Sequence, residues 1–442
     1  MMNDPDEGKR VLDLDRNYVF HSWSAQATLN PLVLSKTEGS YVYDYNGNKL
    51  LDFSCQLVNT NIGHQHPKVV AAIQAQAAEM ATIAPQHAIK VRGEAAKRIV
   101  DLLPSKFNKV FFTNGGADAI ENAIRMARIH TNRTKVLSFY RSYHGNTGSA
   151  INATGDWRRW PNEFSTGHVH FFGPFLYRSA FSATNEAEET ARALKHLEDV
   201  ITFEGPHTIA CVVIESVVGT AGVIVPPPGY LKGVKELCEK HGIVYIADEV
   251  MSGFGRTGKW FAFEHFDIEP DLVVFAKGVN SGYIPLGGVV ISDEIAATFD
   301  NKVFPGGLTY SGHPIETAAA VATIDAMKDE GIVENAARIG KDILGPGLRA
   351  LADKYPVIGE VRGLGVFWAL DLVKDKATRE PVAPPVGASE YMPKIVGELK
   401  KNGLLPFSVA NRIHVVPPCT VSDDEAKAGL AILDAAFSNI KP

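Results

Sequence analysis

The segment VYIADEVMSGFGRTGKW, Val244 to Trp260, carries two incompatible signals. Its second half contains GFGRTG, Gly253 to Gly258, which has the form G-x-G-x-x-G of a dinucleotide-binding turn. Its first half is an apolar run that ends on the paired acids Asp248 and Glu249. A dinucleotide turn needs its first glycine straight after the strand, a helix opening on the motif, and an acid about 20 residues further on for the ribose. Here Val250, Met251 and Ser252 intervene, KWFAFEHF after Gly258 has an aromatic, β-like character, and Glu264 and Asp267 come too early. The glycines therefore do not mark a nicotinamide site, and the acid at the strand end becomes the informative residue.

Working outward, similar apolar runs occur at 109–114, 134–140, 209–216, 271–278 and 287–292, with helical stretches such as AIENAIRMARIHT and YLKGVKELCEKHG between them. Nearly continuous β-branched runs alternating with helices predict a mostly parallel, doubly wound sheet covered on both faces. Before it, YVYDYNGNKLLDF (41–53) reads as a surface hairpin around Asn-Gly. After it, a long interrupted helix or helix pair precedes the short strands in VIGEVRGLGVFWALDL and RIHVVPP, and a last helix at DDEAKAGLAILDAAF. EPVAPP (380–385) reads as a loop. Three units are expected: an N-terminal segment 1–75 packing with the small unit, a large α/β unit 76–335, and a small α+β unit 336–442.

The chain of 442 residues is 45% hydrophobic, 21% charged and carries a net charge of -6, so it buries a sizeable core and offers no electrostatic reason to bind nucleic acid or anionic lipid. No apolar segment approaches the roughly 18 residues of a membrane span, and MMNDPDEGKR lacks the basic and apolar regions of a signal peptide. A cytoplasmic protein acting on small molecules, without a membrane partner, is expected. Cys55, Cys211, Cys238 and Cys419 form no CxxC pair and read as buried thiols, with no metal indicated.

Ligands of open α/β sheets bind beyond the carboxyl ends of the strands. Several strand ends carry chemistry. Gly115, Gly116 and Ala117 open a helix and present backbone N–H groups to an anion. Tyr143 and His144 follow another strand, Asp248 ends a third, and Lys277 ends a fourth. Together they match the needs of pyridoxal phosphate: a phosphate, a flat ring, a ring nitrogen best kept protonated, and an aldehyde that condenses with an amine.

Over residues 18 to 437, TNGGADAIENAIRMAR, YHGNT, IESVVGTAGVIVPPPGYL, ADEVMSGFGRTGKWFAFEH, KGVNSGYIPLGG and TYSGHP resemble the class III (ω-amino acid) aminotransferases of the fold-type I pyridoxal phosphate enzymes. The resemblance implies that Lys277 binds the cofactor covalently and moves a proton, and that Asp248 pairs with the pyridine nitrogen. It implies that Tyr143 and Val250 cover the two ring faces, with His144 and Glu215 among the cofactor contacts. Gly115, Gly116 and Ala117 replace a Ser-Gly-Ser-like phosphate turn, so two hydroxyls are absent, and Thr309 is supplied by a second subunit. That implies a homodimer with active sites at the interface, possibly pairing into tetramers.

For substrates, Arg412 lies near the position of a carboxylate-clamping arginine, shifted by about one residue, and the glutamate that neutralises it in GABA-type relatives is here Thr220. Trp23 and Leu57 fall where the family lines its amine pocket, and DWRRW adds Arg158 or Arg159. The implied reaction is ping-pong transfer from an ω-amino acid such as taurine, β-alanine or GABA to 2-oxoglutarate or pyruvate. Other class III chemistry (decarboxylase, aminomutase, phospholyase), a broad amine:pyruvate transaminase, and an inactive binding protein are the alternatives.

Overall fold

A computed structural model describes residues 4–162 and 165–440. Among the described residues the strands are β1 (Leu34–Glu38), β2 (Tyr41–Asp44), β3 (Lys49–Phe53), β4 (Phe107–Thr113), β5 (Lys135–Phe139), β6 (His168–Phe171), β7 (Ile209–Glu215), β8 (Val244–Asp248), β9 (Leu272–Phe275), β10 (Gly287–Ser292), β11 (Ile358–Leu364), β12 (Phe367–Asp375), β13 (Glu380–Pro381), β14 (Leu404–Val409) and β15 (Arg412–Val415). Strands β4 to β10 make a seven-stranded sheet in the order β4-β10-β9-β8-β7-β5-β6. Only β10 runs against its neighbours, so the carboxyl ends of the other six lie along one edge.

The apolar runs are continuous because both faces are covered. Val213, Ile246, Val274 and Val289 pack with the helix Gly116–Thr131 on one face. The alternate residues Val212, Ile214, Tyr245, Val273 and Val290 enter the main core on the other. This is the doubly wound arrangement expected. The edge strand β6, with the sequence HVHF, lacks the apolar run that marks its neighbours and was not foreseen.

The second sheet runs β1-β2-β3-β14-β15-β12-β11, with β13 paired to β12. Here the hairpin expectation needs correction. Its turn and antiparallel pairing are present, but β3 is not at the surface: it pairs in parallel with β14, and Leu50, Leu51 and Phe53 are buried. Phe53 lies so close to Gly429 of the final helix Asp423–Asn439 that any Cβ there would overlap its ring. Two smaller readings also change. KWFAFEHF forms a 3₁₀ turn at Ala262–Phe266 rather than a strand-like segment, and EPVAPP contributes β13. The interrupted helix resolves into Pro314–Asp329 and a second rod from Ile332 to Lys354 through a π turn at Gly340–Leu344. All four cysteines are buried and unpaired.

Candidate active site

Five chemically informative strand ends meet on one edge of the large sheet. In the register of the parallel strands, Glu215 of β7 stands beside Asp248 of β8, and Asp248 beside Val274 of β9. Lys277 follows two residues after β9, with φ of 47°. A lysine in the left-handed region is held there at a local cost, and such backbones concentrate at functional sites. Burial pushes its amine down to about 8, against the opposing pull of Asp248 and Glu215, while Arg158 adds to the lowering. Lys277 and Asp248 therefore share one electrostatic environment.

Asp248 is buried and fully engaged on its inner side. Its Oδ2 accepts from His144 Nδ1 at 2.7 Å and its Oδ1 from the Val250 backbone at 3.0 Å. Burial, the largest influence, would discharge His144, but the bond to Asp248 together with the charges of Asp248, Glu215 and Asp156 outweighs it and raises the imidazole pKa. Glu215 sits behind this pair, accepting from the backbone N–H of Tyr143 at 3.0 Å and Gly219 at 2.7 Å. Burial pushes its carboxyl up to about 7, with His144 pulling down and Asp248 pushing up. Glu215 thus pins the Tyr143 loop and the 216–224 loop to the acid cluster.

Gly115 caps the helix Gly116–Thr131 with no side-chain hydrogen bond, so the first N–H groups of that helix are not consumed by a cap. A Cβ on Gly116 would press on the Val250 side chain, whereas one on Gly115 would meet open space. The Gly115–Gly116–Ala117 turn therefore packs directly against the segment that follows Asp248.

The other half of the opening segment has a different task. Arg256 of GFGRTG is fully buried. It donates to Pro417 O at 2.5 Å, to Asn61 Oδ1 at 2.7 Å and to Cys55 Sγ at 3.0 Å, so one guanidinium joins the N-terminal segment, the large sheet and the second sheet. Glu249, the second acid, is also structural. It accepts from Ser252 Oγ and from the N–H groups of Ala262 and Phe263.

A cavity of about 500 Å³ opens beside Tyr143. Trp23 and Arg158 line it together with Phe20, Trp157 and Asn162. The Arg158 guanidinium lies 3.6 Å from the Tyr143 ring centre, and Asp156 engages its Nε and Nη2 side. Arg159 turns elsewhere, over Tyr140 and onto Gly155 O. Leu57 does not line this cavity and is about half exposed, within a kinked turn. Thr309 lies exposed in the loop before the helix Pro314–Asp329. Arg412 heads β15, where burial lowers its guanidinium to about 10. Thr220 faces Met251 Sδ at 3.5 Å.

The aminotransferase class-III family profile matches residues 23–437. This chain is a class III aminotransferase. The taurine:2-oxoglutarate aminotransferase of Bifidobacterium kashiwanohense, solved with pyridoxal phosphate and glutamate, is 41% identical to it. Superposition gives a TM-score of 0.95 over 98% of this chain and 97% of that one. The probable 4-aminobutyrate aminotransferase of Bacillus subtilis is 35% identical over 419 residues, covering 91% of this chain and 92% of that protein. The taurine–pyruvate aminotransferase of Bilophila wadsworthia is 31% identical, covering 98% and 97%. Class III aminotransferases are pyridoxal phosphate enzymes, and no helix among the described residues of this aminotransferase is long and apolar enough to cross a membrane.

Among the groups around the acid cluster, the 216–224 loop was not singled out as a connector. Its glycines resemble ordinary turn glycines in sequence, and only folding puts Gly219 O against His414 Nε2 and Gly222 O against Arg362 Nε.

Proposed function

We propose that this aminotransferase holds pyridoxal phosphate through Lys277 and Asp248, and moves the amine of an ω-amino acid with an acidic tail to 2-oxoglutarate. The observation that carries the reading is a buried lysine amine of lowered pKa that feels the charge of a buried carboxylate, the two placed by the ends of adjacent parallel strands. The residues fit the cofactor: an amine for the aldehyde, a carboxylate for the ring nitrogen, the Tyr143 ring and Val250 for the two faces, and an uncapped helix start for the phosphate. When bound, the cofactor supplies an electron sink for the carbon that loses its proton.

The chain supplies everything else. Lys277 moves a proton at its Nζ, and a pKa near 8 suits it to give and take that proton near neutral pH. Asp248, held by His144, presents a fixed negative charge to the ring nitrogen. The Gly115–Gly116–Ala117 turn grips phosphate by backbone alone, and the exposed Thr309 is offered to the site of a second subunit in a cytoplasmic homodimer. The Nη1 side of Arg158, with Trp23, receives a sulfonate or carboxylate tail. Arg412 receives a carboxylate of the acceptor.

Cofactor capture tests the lysine directly. Only the neutral amine attacks the aldehyde, so covalent attachment of pyridoxal phosphate to cofactor-free protein speeds up about tenfold per pH unit below pH 8 and levels off above it. A rate that keeps climbing towards the ordinary lysine pKa would contradict this. For the substrate class, the test is the bleaching of the holoenzyme absorbance by taurine, β-alanine, GABA, a diamine and an arylalkylamine. Taurine and the two acids should bleach it, with reversal by 2-oxoglutarate. Arg158→Ala should lower the donor kcat/KM for these amines about 10- to 100-fold, the worth of a charged hydrogen bond, and leave the arylalkylamine within about threefold. Bleaching by the diamine or the arylalkylamine alone would overturn the acidic-tail assignment.

A further inference from the structure

Four arginines converge behind the 216–224 loop, and the reaction as proposed uses one of them. Arg141 and Arg362 share the Phe175 ring, at 5.1 and 4.8 Å from its centre. Gly222, with φ of 121°, lies against both Arg362 and Arg412, and any side chain there would collide with the two guanidiniums. Arg178 joins from the other side through Asp371.

Three carboxylates answer these four charges. Asp371 is taken by Arg178 at 2.9 Å, Arg362 at 3.1 Å and Asn411 at 2.8 Å. Glu360 pairs with Arg362. Glu189 spends its oxygens on the Phe175 N–H and the Ser179 hydroxyl. His414 stays neutral, since burial and the nearby Arg412 push it down to about 3. One positive charge remains in excess within a largely buried cluster, an arrangement that is costly without a counterion.

The excess falls on two residues. Among the described residues neither Arg141 nor Arg412 meets a carboxylate. Arg412 Nε is buried without a partner, and its Nη1 reaches only Asn411 Oδ1 at 3.4 Å. Arg141 is the one arginine of the four that lines a cavity of about 20 Å³, room for one small species, between Phe139, Phe175, Val218 and Ile224. Thr220 faces Met251 and brings no charge.

We propose that Arg141 and Arg412, the two arginines of the cluster without a carboxylate, hold one small monovalent anion of chloride size, which stays whenever no substrate carboxylate is bound to Arg412. The inference rests on the reading of Arg412 as the acceptor's carboxylate contact. An amine donor without a carboxylate at its reacting end then binds with the inorganic anion in place, and the acceptor displaces that anion.

The test is the chloride-35 NMR line width of the holoenzyme in dilute chloride. The protein should broaden the line, 2-oxoglutarate should narrow it to the buffer value, and Arg141→Gln and Arg412→Gln should each reduce the broadening at least threefold. Arg141→Lys, which keeps the charge, should retain most of it, and circular dichroism checks the fold of each variant. The taurine half-reaction should run several-fold faster in chloride than in gluconate of equal ionic strength, gluconate being too bulky for the cavity. Broadening that is absent, or indifferent to both glutamine variants, overturns the subsite. A line that stays broad while 2-oxoglutarate reverses the bleaching overturns the shared position and leaves the acceptor assignment standing. Loss of broadening in Arg412→Gln with an unchanged 2-oxoglutarate half-reaction keeps the subsite and removes Arg412 from acceptor binding.

Discussion

Lys277→Ala is expected to lower turnover by at least ~10⁴-fold while the protein still takes up pyridoxal phosphate. The substitution removes both the amine that attacks the aldehyde and the group that carries the proton, and a positioned acid or base alone contributes about 10² to 10⁴. Uptake persists because the Asp248 carboxylate, the Tyr143 loop and the helix Gly116–Thr131 are unchanged. Stability should move the other way. A buried amine with its pKa lowered to about 8 binds fewer protons in the folded state than in the unfolded one, so the native cofactor-free protein gains stability as pH rises from about 8 towards the ordinary lysine value, and is penalised below that window. The alanine variant lacks this penalty and should melt no lower than the parent at pH 7. Retention of a tenth of the turnover would remove Lys277 from the chemistry.

Asp248→Asn is expected to slow the donor half-reaction about 10³-fold, the scale of losing one preorganised charge from an enclosed site. The amide keeps the volume and the bond to the Val250 N–H position but carries no charge. His144 changes with it. Its raised pKa depends on the bond to Asp248, and burial, which opposes that bond, prevails once the charge is gone, so the imidazole becomes neutral. The bound cofactor's absorbance maximum should shift as its ring nitrogen loses the proton. A fall of less than about tenfold, with the spectrum unchanged, would place another group at the ring nitrogen.

The large sheet was legible because parallel strands covered on both faces leave uninterrupted apolar runs, and because Asp248 and Lys277 place opposite charges at the ends of two of them. Strand β6 escaped because an edge strand with one neighbour needs few apolar residues, and its histidines break the pattern. The burial of β3 was hidden for a different reason. Its partner β14 lies far along the chain, so the alternation shows a strand but not what covers it. Arg256 was concealed in the same way, since Asn61 and Pro417 are remote in sequence, and a buried arginine inside a glycine-rich turn looks like any other turn residue. Trp23 and Leu57 were nominated by resemblance, and Arg158 or Arg159 by nearness to the Tyr143 loop; Trp23 and Arg158 line one cavity, whereas Leu57 and Arg159 do not.

The guanidinium of residue 256 has a consequence for anyone exchanging parts between relatives. A graft of the C-terminal strands alone would bring its own version of the Pro417 carbonyl to a host whose Asn61 and Cys55 evolved beside another loop. The natural cassette is discontinuous: residues 53–61, 253–258 and 412–419 form one mechanical joint and should be transplanted together or left alone.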